Sequence, residues 1–113
     1  MSRILLAFIV FAGYVMVSPA LVAQNHLCSK WENRPDYMQA ISTVAASYQK
    51  SYIELCTTKN ILDIEVQPSR IILRDGTIVP HLRVQLHYEY DSCLFMVNKE
   101  SQEISKQHCY SGT

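Results

Sequence analysis

What the chain lacks narrows its candidate functions first. It has no excess charge of either sign: ten lysines and arginines stand against ten aspartates and glutamates. No polybasic field is therefore available to hold nucleic acid or anionic lipid. Glycine is scarce, at three residues, and there is no Gly-rich phosphate loop, G-x-S-x-G, H-E-x-x-H or N-x-[ST] sequon. Nothing in the sequence signals a cofactor. A long hydrophobic run is missing too, because the apolar stretch from Ile4 to Val17 has 14 residues. A bilayer span needs about 20.

Ahead of that run stands Arg3, and behind it lie the small and helix-breaking residues Ser18, Pro19 and Ala20. That is the pattern of a secretory signal over residues 1–23. Cleavage after Ala20 puts Ser18 at the third position back, a small residue as required; cleavage after Ala23 puts Leu21 there, which fits less well. The expectation is a secreted or periplasmic protein with one small domain at 24–113 and no membrane attachment once the signal is gone. Losing Arg3 leaves nine basic against ten acidic residues.

All four cysteines, Cys28, Cys56, Cys93 and Cys109, lie in the expected mature part. Cys28 has four candidate roles: lipid anchor, disulfide, metal ligand and nucleophile. A lipoprotein signal needs a small residue just before the cysteine, and here that residue is Leu27. Structural zinc sites draw two ligands from a short C-x-x-C-like turn, whereas no two cysteines here are closer than 16 positions. No metal site is expected. Nothing nearby would lower a thiol pKa to make a nucleophile. Disulfides remain, as an even count in a small exported domain suggests.

From "RPDYMQAISTVAASYQKSYIELC" a helix of about 20 residues is expected, capped by Asn33 with Pro35 in its first turn. Tyr37, Ile41, Val44, Tyr48, Tyr52 and Leu55 form one apolar stripe along it. Between Tyr37 and Gln49 the opposite face carries no charge, which suits either a weakly polar solvated surface or the approach of a second copy of the chain.

After Asn60 the apolar period becomes two, the mark of strands with one dry face. Asp75-Gly76 signals a hairpin, with Leu73 opposite Ile78. One extra residue near Pro68 would then bring Leu62 opposite Tyr88 and Ile64 opposite Leu86. A turn at Asp91-Ser92 would set Tyr88 against Phe95, and another around residues 99–102 would return "EISKQHCY" as an edge strand. In this register Cys93 faces Cys109. Four cysteines allow three pairings; Cys28–Cys56 with Cys93–Cys109 is favoured, although Cys56 should also lie near the sheet end that carries the other two.

The expected fold is α+β: one long N-terminal amphipathic helix packed on a four-stranded antiparallel β-meander. That order resembles the general architecture of cystatin-like domains. The Q-x-V-x-G hairpin and Pro-Trp loop by which cystatins enter proteases have no counterpart, so the resemblance implies architecture alone.

Chemistry is hinted at on one strand, where His81, Arg83, Gln85, His87 and Glu89 alternate toward one face. Glu89 or His87 could take a proton while Arg83 holds an anion, as a small acid-base hydrolase requires. The plainer reading is the solvated side of an amphipathic strand. Tyr88 and Tyr90, two of seven tyrosines, alternate on the dry side and suit either the core rim or a recognition surface. The expectation is therefore a non-catalytic protein that binds another macromolecule, most simply a protein, through a face containing Arg83, His87, Glu89, Tyr88 and Tyr90.

Overall fold

A computed structural model describes residues 26–111. The expected signal and its cleavage site lie outside them. In chain order come a 3-10 turn at Ser29–Trp31, helix α1 at Pro35–Ser47 and a short helix α2 at Tyr52–Cys56. Strands β1 (Ile61–Ile72), β2 (Ile78–Tyr88), β3 (Asp91–Asn98) and β4 (Ile104–Ser111) follow. They form one antiparallel sheet in the order β1-β2-β3-β4. No described helix is long and apolar enough to cross a membrane.

The long N-terminal helix predicted by the apolar stripe is not present. α1 begins at Pro35 after an extended Arg34, not at an Asn33 cap, and ends after 13 residues. Its end is a specific closure: the N–H of Gln49 bonds Ala46 O at 2.9 Å, and that of Lys50 bonds Ala45 O at 3.0 Å. These crossed bonds make a Schellman motif, whose left-handed position usually holds glycine. Here it holds Gln49, at φ +60°. The chain then starts a new helix with a capping box. The Ser51 hydroxyl accepts the Glu54 N–H, and the Glu54 carboxylate accepts the Ser51 N–H at 2.7 Å. The two hydrogen bonds from Ser51 hold the Glu54 carboxyl below its ordinary pKa.

The apolar stripe nevertheless turns this corner with its buried side intact. Tyr37, Ile41 and Val44 on α1 and Leu55 on α2 are buried, Tyr52 packs against them, and Tyr48, 38% exposed, sits at the rim with its ring edge-on to Phe95. The uncharged face is split: Ala40 and Ala45 are buried, while Gln39, Ser42 and Ala46 meet solvent. Ser42 and Thr43 turn their hydroxyls back to the carbonyls of Met38 and Gln39.

The β1–β2 register runs unbroken from Ile72 opposite Ile78 to Asp63 opposite His87. The extra residue demanded by the apolar pattern sits in the turn rather than at Pro68. Gly76 N–H bonds Leu73 O, Leu73 N–H bonds Thr77 O, and Gly76 adopts φ +89°. This is a three-residue loop with a glycine bulge. Pro68 stays in the ladder opposite Leu82, on an edge strand where proline is tolerated. A second irregularity between Ile61 and Asp63 gives Ile61, not Leu62, the place opposite Tyr88 and leaves Leu62 exposed.

The β2–β3 turn falls at Glu89–Tyr90, so Leu86 faces Cys93, Val84 faces Phe95 and Leu82 faces Val97. This differs from the expected pairing by an even number of positions, so the same side chains stay on the dry face. The last hairpin turns at Lys99–Gln102, where Asn98 Oδ1 accepts the N–H groups of Glu100 and Ser101. β4 is almost wholly exposed.

Helix α1 lays Ala40, Ile41, Val44 and Ala45 against the buried faces of β1, β2 and β3, represented by Ile64, Val84, Leu86 and Phe95. Burial of each such Ile, Val, Leu or Phe contributes about 1.5–3 kcal/mol. Two disulfides staple the fold, one within the helical layer and one within the sheet. Cys28–Cys56 is buried, with a Cα–Cα distance of 5.6 Å, and Cys93–Cys109 bridges a directly opposed pair on β3 and β4. The corner at Gln49 folds Cys56 back toward Cys28, which a continuous helix would have carried away. Leu27 N–H also bonds Cys56 O at 2.9 Å, and the Trp31 indole N–H bonds Ile64 O at 2.9 Å.

Candidate functional site

The side chains on the sheet face opposite α1 alternate with the core residues. On this face His87 Nε2 lies 2.5 Å from Glu65 Oε1, and Ser92 Oγ lies 3.3 Å from His87 Nδ1. A carboxylate only accepts, so Nε2 carries the N–H that points at Glu65, and in the neutral imidazole Nδ1 accepts the Ser92 hydroxyl. The three groups form one chain, Ser92 to His87 to Glu65, drawn from β3, β2 and β1. It resembles the order of a nucleophile, base and orienting acid. The backbone N–H groups of paired strands lie in the sheet plane. They do not point at a substrate resting on the face, so the ladder offers no oxyanion stabilisation there.

The expected constellation separates into different roles. Arg83 shares this face but donates to Gln67 Oε1. Gln85 Nε2 donates to the Tyr110 hydroxyl at 2.7 Å, and Tyr110 stacks on His108. His81 is buried, with Nδ1 2.9 Å from Val79 O and Nε2 2.7 Å from Ser105 Oγ, so it holds the sheet margin together. Glu89 belongs to the β2–β3 turn, and Glu65 takes the place beside His87. Glu65 was findable: a register pairing Ile64 with Leu86 already puts it diagonal to His87. Ser92 directly opposes His87 only because the turn falls at Glu89–Tyr90.

Tyr88 and Tyr90 part company as well. Tyr90 is exposed in the turn, while Tyr88 is half-buried beside Tyr48. Burial, followed by the charge and hydrogen bond of Tyr88, raises the pKa of the Tyr48 hydroxyl. Tyr88 also borders a hollow of about 550 Å³ with Asn60, Asp91, Tyr110 and the Cys93–Cys109 disulfide.

One described cluster has metal-binding residue types. Ligand atoms of His26, Cys28 and Cys56 lie within 4.8 Å of one another. Both sulfurs are already bonded to each other, so this donor set does not fit a cation. His26 has a structural part instead: its Nδ1 accepts the Cys28 N–H at 3.1 Å. Its Nε2 lies 2.9 Å from Glu32 Oε2, but off the line of a hydrogen bond. Tyr52 meets the His26 ring edge-on and has a buried hydroxyl without a partner. Burial, with the Glu32 charge second, pushes the Tyr52 pKa up to about 12.

At the other end of β2 the sheet changes character. β3 pairs with β2 only from His81 onward, so residues 70–72 and 78–80 form a ribbon of two strands. Its tip exposes Ile72 by 60%, Leu73 by 47% and Ile78 by 56%. Spacing marks these as strand residues without showing that the neighbouring strand stops short of them.

No protein-family model, curated protein or solved structure matches this chain.

Proposed function

We propose that this is an exported, non-catalytic domain that binds another protein, as a secreted effector, an inhibitor or a periplasmic accessory protein. The β1–β2 ribbon is its contact arm. The exposed aliphatic tip carries the reading, because Ile72, Leu73 and Ile78 stand in water on a ribbon with no third strand. Full burial of such a side chain is worth about 1.5–3 kcal/mol, which a partner's groove can recover. Two disulfides fit an oxidising, extracytoplasmic compartment, and the signal-like N-terminus supports the same address.

The test compares wild type with the triple variant I72S/L73S/I78S in pull-downs from cell-envelope and host extracts, both proteins oxidised. The expected result is a protein retained by wild type and lost by a variant whose circular dichroism is unchanged. Retention of the same protein by both, or of none by wild type, would refute the arm.

A second reading, a small exported acid-base hydrolase, gains support from the Ser92–His87–Glu65 chain, with Glu65 in the part expected of Glu89. Turnover of an RNA, glycan or peptide substrate by wild type, abolished in H87A, would establish it. No turnover by wild type on such a panel would remove it.

A further inference from the structure

The ribbon and the open sheet face enclose a hollow of about 450 Å³. Ser69 to Ile72 of β1 border it, with Arg83, Leu94, Met96 and Lys106 of the other strands. By strand alternation Ser69 and Ile71 share the side of Arg83, and Arg70 and Ile72 turn to the other. No aspartate or glutamate lines it. Among the described residues Arg83 and Lys106 meet no carboxylate, and Arg83 has only the neutral Gln67. Two unpaired cations thus share one hollow in a chain of zero formal net charge.

The arrangement is ordered as well as charged. Arg83 opposes Met96, and Met96 opposes Lys106, so one row across β2, β3 and β4 reads cation, apolar, cation. Neighbouring strands lie about 4.8 Å apart, which places the two cations about 10 Å from each other. Met96 is 8% exposed although its side chain lies on the face away from α1, so the floor is a packed apolar surface.

We propose that this hollow seats an acidic segment of a partner protein, an extended peptide whose every second residue, all on one face, is in turn a carboxylate and an aliphatic group. The inference rests on the protein-binding reading and adds the chemistry of what is bound. Carboxylates of the segment meet Arg83 and Lys106, and its aliphatic groups rest on Met96, Leu94 and Ile71. From Ile71 the ribbon continues to the exposed tip. Charges interleaved with an apolar floor at residue spacing suit a peptide better than a phosphodiester, whose backbone offers no aliphatic groups.

The test is fluorescence anisotropy on the oxidised protein with the labelled octapeptide Glu-Ser-Val-Ser-Glu-Ser-Val-Ser, which when extended puts glutamate and valine on one face, and with its lysine-for-glutamate counterpart. The acidic peptide binds and the basic one does not. R83E/K106E weakens binding at least tenfold, and R83Q/K106Q, which removes charge without reversing it, weakens it less. Raising salt from about 0.05 to about 0.5 M also weakens it, since the screening length falls from about 14 to about 4 Å over that range.

Equal binding of both peptides, no binding of the acidic one, or identical affinity in a folded R83E/K106E variant overturns the assignment. So does displacement of the peptide by an equal concentration of inorganic phosphate, or sedimentation with phosphatidylglycerol vesicles without peptide binding. If the peptide fails while the I72S/L73S/I78S variant still loses a protein partner, this assignment falls and the protein-binding reading stands.

Discussion

Replacing Gln49 by glycine tells a cornered helix from a continuous one by the sign of its effect. In the structure Gln49 sits at φ +60°, where an L side chain costs about 1–2 kcal/mol relative to glycine. Glycine also makes the unfolded chain more flexible, which offsets about 0.4–1 kcal/mol. Q49G should therefore stabilise the protein by about 0.5–1 kcal/mol. In the interior of an uninterrupted helix the same change would destabilise it by roughly 0.5–1 kcal/mol.

Ser51 gives an independent second sign. As the cap of α2 its side chain accepts the Glu54 N–H, and S51A should cost about 1 kcal/mol. In mid-helix, alanine for serine would be favourable by a few tenths of a kcal/mol. Urea unfolding of the oxidised variants, followed by circular dichroism and by the single tryptophan, Trp31, reads both. A destabilising Q49G together with a neutral or stabilising S51A would refute the corner at residues 48–51.

The two disulfides should contribute unequally. Alanine pairs that remove Cys93–Cys109, separated by 16 positions, and Cys28–Cys56, separated by 28, should cost about 3 and about 3.6 kcal/mol by the chain-entropy relation. The second also leaves a buried void. Because Cys109 is exposed and Cys28 and Cys56 are fully buried, a dithiol added under native conditions should open Cys93–Cys109 first. Alkylation with mass spectrometry reads the order, and the reverse order would contradict these exposures. Tyr52 predicts alkaline sensitivity. Its folded pKa, about 12, exceeds the ordinary 10.0, so its contribution is full below pH 10 and drains away as pH climbs toward 12. Y52F, which removes only an unpartnered hydroxyl, should flatten thermal stability over that window; an unchanged slope would count against the burial of this group.

Side-chain parity was the most legible part of the fold, because a period of two or 3.6 reports which side of an element is dry. Leu82, Val84, Leu86, Phe95 and Val97 on the sheet, and Ile41, Val44 and Leu55 on the helices, are buried as that pattern requires. The same property hides other choices. A turn at Glu89–Tyr90 and one at Asp91–Ser92 differ by an even number of positions, so both bury the same residues. An extra residue in the Asp75-Gly76 loop satisfies the apolar pattern as well as one at Pro68. The corner at Gln49 was obscured because glutamine occupies a position where glycine would have announced it. "SYIE" beginning at Ser51 did carry the capping-box signal. The Glu65–His87 contact was masked for a related reason: spacing along one strand suggests neighbours such as Glu89, whereas contacts across strands appear only once the register is fixed.

The placement of the constraints bears on how such a domain would bind. β1 starts, β2 turns into β3, and both disulfides lie toward one end of the sheet, where α1 and α2 cover it. The ribbon of residues 70–80 lies at the other end and is held chiefly by its own two-strand ladder. Two strands alone are marginally stable in water. An occupant of the cationic hollow would touch both the ribbon and the rigid sheet, so each contact it makes also restrains the arm. The aliphatic tip, exposed whether or not the ribbon is folded, adds little to the free ribbon and stabilises the bound one. That difference between states would give the stapled body a responsive arm without loosening its core.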